Sequence, residues 1–227
     1  QTSKDYLADR RTLDYYRDVK GIDWTDLVFR TGSVNIYNMA IRGGTEETKY
    51  SISGSLYDQG GIIINTGLKR YNGRITLDQE ISPKIKTGLT ANYSGVSSYG
   101  QSVSTFSSAN STSSAALFRT WVYRPVAPEP DQTDDLVTSD VDEDAIYGGD
   151  VRVNPFIDLQ NQHQVNRTNL LEANGYVSYE ILKGLVLKIT GGTRIQIAQN
   201  ERFYNSKTAQ GNPNNPNNVN GICGTLY

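Results

Sequence analysis

Residues 48–81 read TKYSISGSLYDQGGIIINTGLKRYNGRITLDQEI, and two runs inside this stretch change character at every residue. In Thr48–Tyr57, the residues Tyr50, Ile52, Gly54 and Leu56 alternate with Lys49, Ser51, Ser53 and Ser55. In Lys69–Ile81, Tyr71, Gly73, Ile75 and Leu77 alternate with Arg70, Asn72, Arg74, Thr76 and Asp78. A period of two belongs to a strand with two unlike faces, because successive side chains leave a pleated backbone on opposite sides. The same period recurs in Val34–Arg42, Ile85–Ser94, Leu171–Ile181 and Leu185–Ala198. Each segment has about the 9–11 residues that a tilted strand needs to cross a bilayer.

Alternation by itself also suits a soluble β-sandwich, which buries one face in its core. The connections separate the two. Gly43–Glu47, Ser82–Lys84 and Leu182–Gly184 are tight, whereas Asp58–Leu68, the stretch 95–170 and the polar run from Gln199 onward are longer. Every odd-to-even connection is short and every even-to-odd one is longer. Short turns at one end and long loops at the other are the rhythm of an outer-membrane barrel. Tyr37, Tyr50, Tyr57, Tyr71, Tyr93 and Tyr179 stand at or near strand ends. There an apolar ring can meet lipid while its hydroxyl stays wet. The expected fold class is therefore all-β: part of a large antiparallel transmembrane β-barrel.

Upstream, residues 3–19 carry Tyr6, Leu7, Leu13, Tyr16 and Val19 at rough helical spacing, with Ser3 as a cap and Gly21 as a stop. A short turn from Asp23 would carry Trp24, Leu27 and Val28. The domain expectation is a helical segment over 1–32 leading into barrel strands over 33–227, with long loops at about 95–170 and 199–227. Six strands cannot close, and an open sheet edge in hydrocarbon leaves backbone polar groups unpaired at several kcal/mol each. The chain therefore reads as a portion of a longer polypeptide, without the plug and the remaining strands, or as one part of an oligomeric barrel.

Composition agrees. Hydrophobic residues are 37% of 227 and mean hydropathy is −0.52, yet there are 15 Tyr. Such a chain suits strands and polar loops better than a large soluble core. A net charge of −2 gives no reason to expect nucleic acid. The single Cys223 excludes an internal disulfide. No apolar run is long enough for a transmembrane helix, and no signal peptide is visible.

No catalytic constellation stands out, so an enzyme is not expected. His163 is the only histidine, which excludes a multi-histidine metal site within this chain. Asp140, Asp142 and Asp144 have the 1-3-5 spacing of a calcium loop, but Ala145 replaces the turn glycine and Val151 the bidentate glutamate. A solvated loop surface is the reading there, with calcium as the alternative and no other cofactor. Lys49, Arg70, Arg74, Asp78, Lys86, Lys188 and Arg194 share the polar phase of their strands. Charge facing lipid costs about 2–4 kcal/mol near the midplane, so these seven should face the lumen, meeting water or a plug. Trp121, Tyr123 and Arg124 are candidates for stacking on a substrate or packing against a lid.

A family likeness rests on several linked motifs. Asp23-Trp24-Thr25-Asp26 with Phe29-Arg30-Thr31-Gly32 resembles the D-W-x-D-x-x-F-R-T run ahead of the barrel in SusC/RagA-type TonB-dependent transporters of Bacteroidetes-type bacteria. Gly43–Ser55 resembles that family's first turn and second strand. Tyr57-Asp58-Gln59-Gly60-Gly61-Ile62-Ile63 resembles its Y-x-D-Q-x-G-I-I loop, except that Gly60 stands where an acidic residue is usual. Lys69–Asp78 resembles its third strand, and Leu182–Leu185 fits a later turn. The resemblance is strongest over residues 23–94. It implies a barrel of about 22 strands around a plug. It also implies the outer membrane as location, energy through the TonB complex, a SusD-like lipoprotein on the extracellular face, and import of glycans or oligopeptides. Two rival readings are a transporter-like barrel acting as a structural scaffold and a soluble secreted β-rich binding domain.

Overall fold

The computed structural model describes residues 16–101, 116–127, 133–138, 154–208, 211 and 223–226. The expected helix over 3–19 lies almost wholly outside them. The chain divides into two compact units.

The larger unit is a sheet whose strands lie in chain order, each hydrogen-bonded to the next. They are β1 (Val34–Gly44), β2 (Thr48–Gly60), β3 (Gly67–Ser82), β4 (Ile85–Tyr99), β5 (Gln162–Leu182), β6 (Leu185–Tyr204) and β7 (Cys223–Leu226). The pairs with a resolved register are antiparallel. This is the antiparallel meander that the alternating segments and the tight turns predict. Gly44 (φ 153°) and Gly184 (φ 88°) take backbone angles that a side chain disfavours, and each lies at a short turn.

Several boundaries differ from the sequence reading. The connection expected at Asp58–Leu68 shrinks to 61–66, because β2 and β3 pair as far as Gly60 opposite Gly67. The long connection begins after Tyr99 and ends at Gln162, because β4 and β5 continue to pair as far as Tyr99 opposite Val165. Beyond the bilayer both faces of a strand meet water, so alternation fades while backbone pairing continues. The final stretch, expected to be loop from Gln199, holds the end of β6 and then β7, which pairs Cys223–Leu226 with Gln199–Arg202. A four-residue strand without an apolar phase leaves no periodic trace.

The smaller unit draws on Gln1–Arg30, Gln101–Gln162 and Phe203–Gly221. It contains α1 (Trp24–Val28), α2 (Ala116–Val122), a 3-10 turn (Asp134–Val137) and α3 (Pro155–Asn161). Asp23 caps α1 by accepting from the amides of Thr25 (2.9 Å) and Asp26 (3.3 Å). Trp24 meets Tyr123 edge to face at 4.9 Å and donates its indole N–H to the Arg124 carbonyl at 2.9 Å. Ala127 and Leu136 complete this small core. Asn154 caps α3, and its amide donates to the Leu136 carbonyl at 2.7 Å and the Val137 carbonyl at 3.1 Å. One buried side chain thus joins the 3-10 turn to α3. The carboxylate of Asp158, also buried, pairs with Arg119 and accepts from Gln162 Nε2 at 2.7 Å. A buried carboxylate needs such partners to remain charged.

Candidate functional site

Register turns single-strand alternation into two continuous surfaces. Ile41 pairs with Ile52, Ile52 with Ile75, Ile75 with Ala91, and Ala91 with Ala173. Met39, Gly54, Gly73 and Tyr93 form the neighbouring row, and Tyr37, Leu56, Tyr71 and Gly95 the row beyond it. The apolar phases of five strands therefore coincide on one face, and this face is open: Met39 is 71% exposed, Ile75 50% and Val177 50%. A water-soluble domain does not leave so extended an apolar surface uncovered. Facing lipid, the same surface is the favourable one.

The opposite face is polar and grooved. One groove of about 540 Å³ runs past Asn38, Ser53, Ser55, Asn72, Arg74 and Ser94. A second, of about 300 Å³, runs past Thr90, Asn174, Tyr176 and Thr190. Strand phase places all seven expected lumen residues on this side. Their surroundings divide them. Lys86 pairs with Glu80 at 3.1 Å, and Arg194 with Glu172 at 3.5 Å. Asp78 accepts from the Tyr176 hydroxyl at 2.9 Å, and the Lys188 ammonium stands 4.4 Å from the centre of the Tyr176 ring. Asp78, Gly88 and Tyr176 are register partners, so the tyrosine lies across β4 to reach β3. Gly88 makes room for it, since a Cβ there would run into the Tyr176 ring and come within 2.6 Å of the Asp78 carboxylate. Lys49, Arg70 and Arg74 make no ion pair with any described residue. The same holds for Arg42, a lumen-phase cation that the sequence reading of sites passed over. Asn72 continues the ladder by donating to Ser55 Oγ at 3.1 Å and accepting from Ser94 Oγ at 2.9 Å.

Tyr176 and Glu172 were also passed over. The usable signal was phase: an aromatic and a carboxylate on the polar side of β5 each need a polar partner across the sheet. Trp121 is 64% exposed and Tyr123 only 5%. The structure thus leaves the Trp121 ring open and spends that of Tyr123 on Trp24. The backbone carbonyl of Arg124 receives the Trp24 indole. Asp140, Asp142 and Asp144 lie outside the described residues, and among the described residues no cluster of metal-ligating side chains is present.

No family model matches the chain. Among curated proteins it is 29% identical over 192 residues to TonB-dependent receptor P3 of Formosa agariphila, covering 84% of this chain and 18% of the relative. It is 36% identical over 91 residues to TonB-dependent receptor P26 of the same organism, covering 37% of this chain and 9% of the relative. Among solved structures, the RagAB peptide importer in its open-open state superposes with a TM-score of 0.59 at 22% identity, over 96% of this chain and 23% of that one. The sheet has the fold of that importer's barrel. By sequence, the chain is similar to TonB-dependent receptors, as its SusC/RagA-like motifs indicate. It spans about a fifth of the length of these proteins. Its place is the outer membrane, and its relatives are receptors and importers rather than enzymes.

Proposed function

We propose that this chain is a wall section of a TonB-dependent importer that brings glycans or oligopeptides across the outer membrane beneath a SusD-like surface lipoprotein. The observation that carries this reading is the separation of faces: a continuous apolar surface over five strands, backed by a grooved polar surface with its own ion pairs. Such a wall keeps lipid on one side and a wet or plugged lumen on the other. On the lumen side, Lys49, Arg70 and Arg74 meet the plug or the passing solute, while Asp78, Lys86, Lys188 and Arg194 hold their places through partners on the wall. Trp121 offers a flat ring to a sugar or peptide, or to the lid; Tyr123 and Arg124 hold that segment to α1. The peptide side of the reading draws support from the RagAB likeness, which is one of fold.

The test is uptake by cells making the full-length protein. Labelled oligopeptides and labelled oligosaccharides are supplied separately, with and without a protonophore that removes the energy TonB transmits. Accumulation of either class that collapses with the protonophore, together with a lipoprotein that co-purifies at equal stoichiometry, is the expected result. Normal membrane insertion with uptake of neither class would sink the import reading and favour a scaffold.

A further inference from the structure

We infer that a row of charges on the lipid side of the sheet, at its long-loop end, is a contact surface for phosphate-bearing lipid headgroups and sets the depth of the barrel in the outer leaflet. This rests on the membrane reading above and goes beyond it. Asn35 pairs with Asp58, Asp58 with Lys69, Lys69 with Ser97, and Ser97 with Arg167. Arg167 in turn forms an ion pair with Glu201 on β6. These residues share the phase of Tyr37, Leu56, Tyr71 and Leu171, so they stand on the face turned to lipid.

The row is polar at every position, and the apolar band starts one step below it. Tyr37, Leu56 and Tyr71 occupy the next row down. Tyr93, one row lower still, sends its hydroxyl to Asn169 Oδ1 at 2.9 Å. Aromatic rings with wet hydroxyls directly beneath a charged row are arranged like a membrane interface read from hydrocarbon outward. Toward the short turns the same phase carries Val177 opposite Thr87 and then Ile85 opposite Tyr179, so the band continues almost to the turn end of the sheet. Along β4 the rise from Ser97, in the charged row, to Ile85 is about 40 Å at ~3.3 Å per residue. A strand tilt of about 40° projects this to about 30 Å, enough to span the apolar band of about 25 Å in outer-membrane barrels.

The charges also suit the partner. Lys69 pairs with Asp58 at 3.6 Å within the row, and His163 stands 4.0 Å from the second oxygen of Glu201. Cations and carboxylates lie side by side, and a headgroup layer presents phosphates beside cations in the same way. Each of these four ion-paired side chains remains about a third exposed or more, which leaves the cations able to reach a phosphate as well.

The test uses the full-length protein with Cys223 and any other cysteine replaced by serine, in bilayers of phosphate-bearing lipid. Nitroxide labels are placed singly at Ile75 and Ser97. Lipid-soluble oxygen reports hydrocarbon, and a nickel chelate carried on a lipid headgroup reports the interface. We expect the Ile75 label to respond to oxygen alone and the Ser97 label chiefly to the headgroup nickel. In a D58L/K69L/R167L/E201L variant, the Ser97 label should shift to the oxygen response of Ile75. If Ile75 keeps its lipid response while Ser97 senses only bulk water, or does not move in the variant, the headgroup inference is overturned and the barrel stands. If Ile75 shows no lipid response, the membrane reading falls with it.

Discussion

At the residue scale, one glycine, two aromatic rings and one buried carboxylate do work that their types alone do not announce. Gly88 has no turn to make; it lies mid-strand so that the Tyr176 ring can cross β4 and bond to Asp78. Gly88→Leu should displace that ring, freeing Asp78 and Lys188 from their shared partner. The expected loss is about 1–3 kcal/mol, from overpacking and a broken polar contact, read as a lower urea midpoint of the full-length protein in lipid vesicles. Gly88→Leu with Tyr176→Ser should recover part of it, because the crowding ring is gone. In the smaller unit, Trp24→Ala should cost about 3–5 kcal/mol by emptying the space against Tyr123 and leaving the Arg124 carbonyl without its donor. Faster hydrogen exchange at the α1 and α2 amides would show it. Asp158→Ala should cost a comparable ~3–5 kcal/mol, since buried Arg119 would lose the Asp158 carboxylate and the Gln162 amide would lose that acceptor. Trp24 announced itself through its motif. Asp158 did not, because nothing in a polar loop sequence says which carboxylate will be buried.

At the element scale, strand phase is the quantity that matters, and it can be tested by moving a charge one residue. Ile75 and Thr76 are neighbours in β3 with opposite phase. Ile75→Arg should cost about 2–4 kcal/mol by setting a charge in hydrocarbon, while Thr76→Arg should change stability by only tenths of that. Unfolding of both variants in vesicles separates them, and equal losses would mean that the two faces are alike. Phase was legible from single residues over β1–β4 because lipid on one side and polar surroundings on the other impose unlike demands. It faded at the loop ends, where both sides are wet, and so β2 to β6 run further than their alternation. The pairing of β7 with β6 had no sequence trace at all: its four residues are held by backbone bonds, which any non-proline residue can supply.

At the scale of the whole molecule, the sheet formed by the described residues has β1 and β7 at its edges. In a bilayer those edges must be joined to other strands. The 227-residue polypeptide produced alone should therefore fail to form a heat-resistant, protease-protected barrel in vesicles, whereas the full-length protein should form one; gel mobility before and after boiling reports the difference. What the sequence by itself determined is the class of wall: period two, tight turns at one end only, tyrosines near strand ends, and motifs that point to a transporter family. These are local properties, set by how each side chain partitions between lipid and water, and the order of residues records them directly. What only the tertiary structure decided is which residues stand level with one another. Whether Lys188 meets Tyr176, whether Arg194 meets Glu172 and whether Asp58, Lys69 and Arg167 fall in one row depend on register between strands. Register is set jointly by every pair in the sheet, and no single strand carries it.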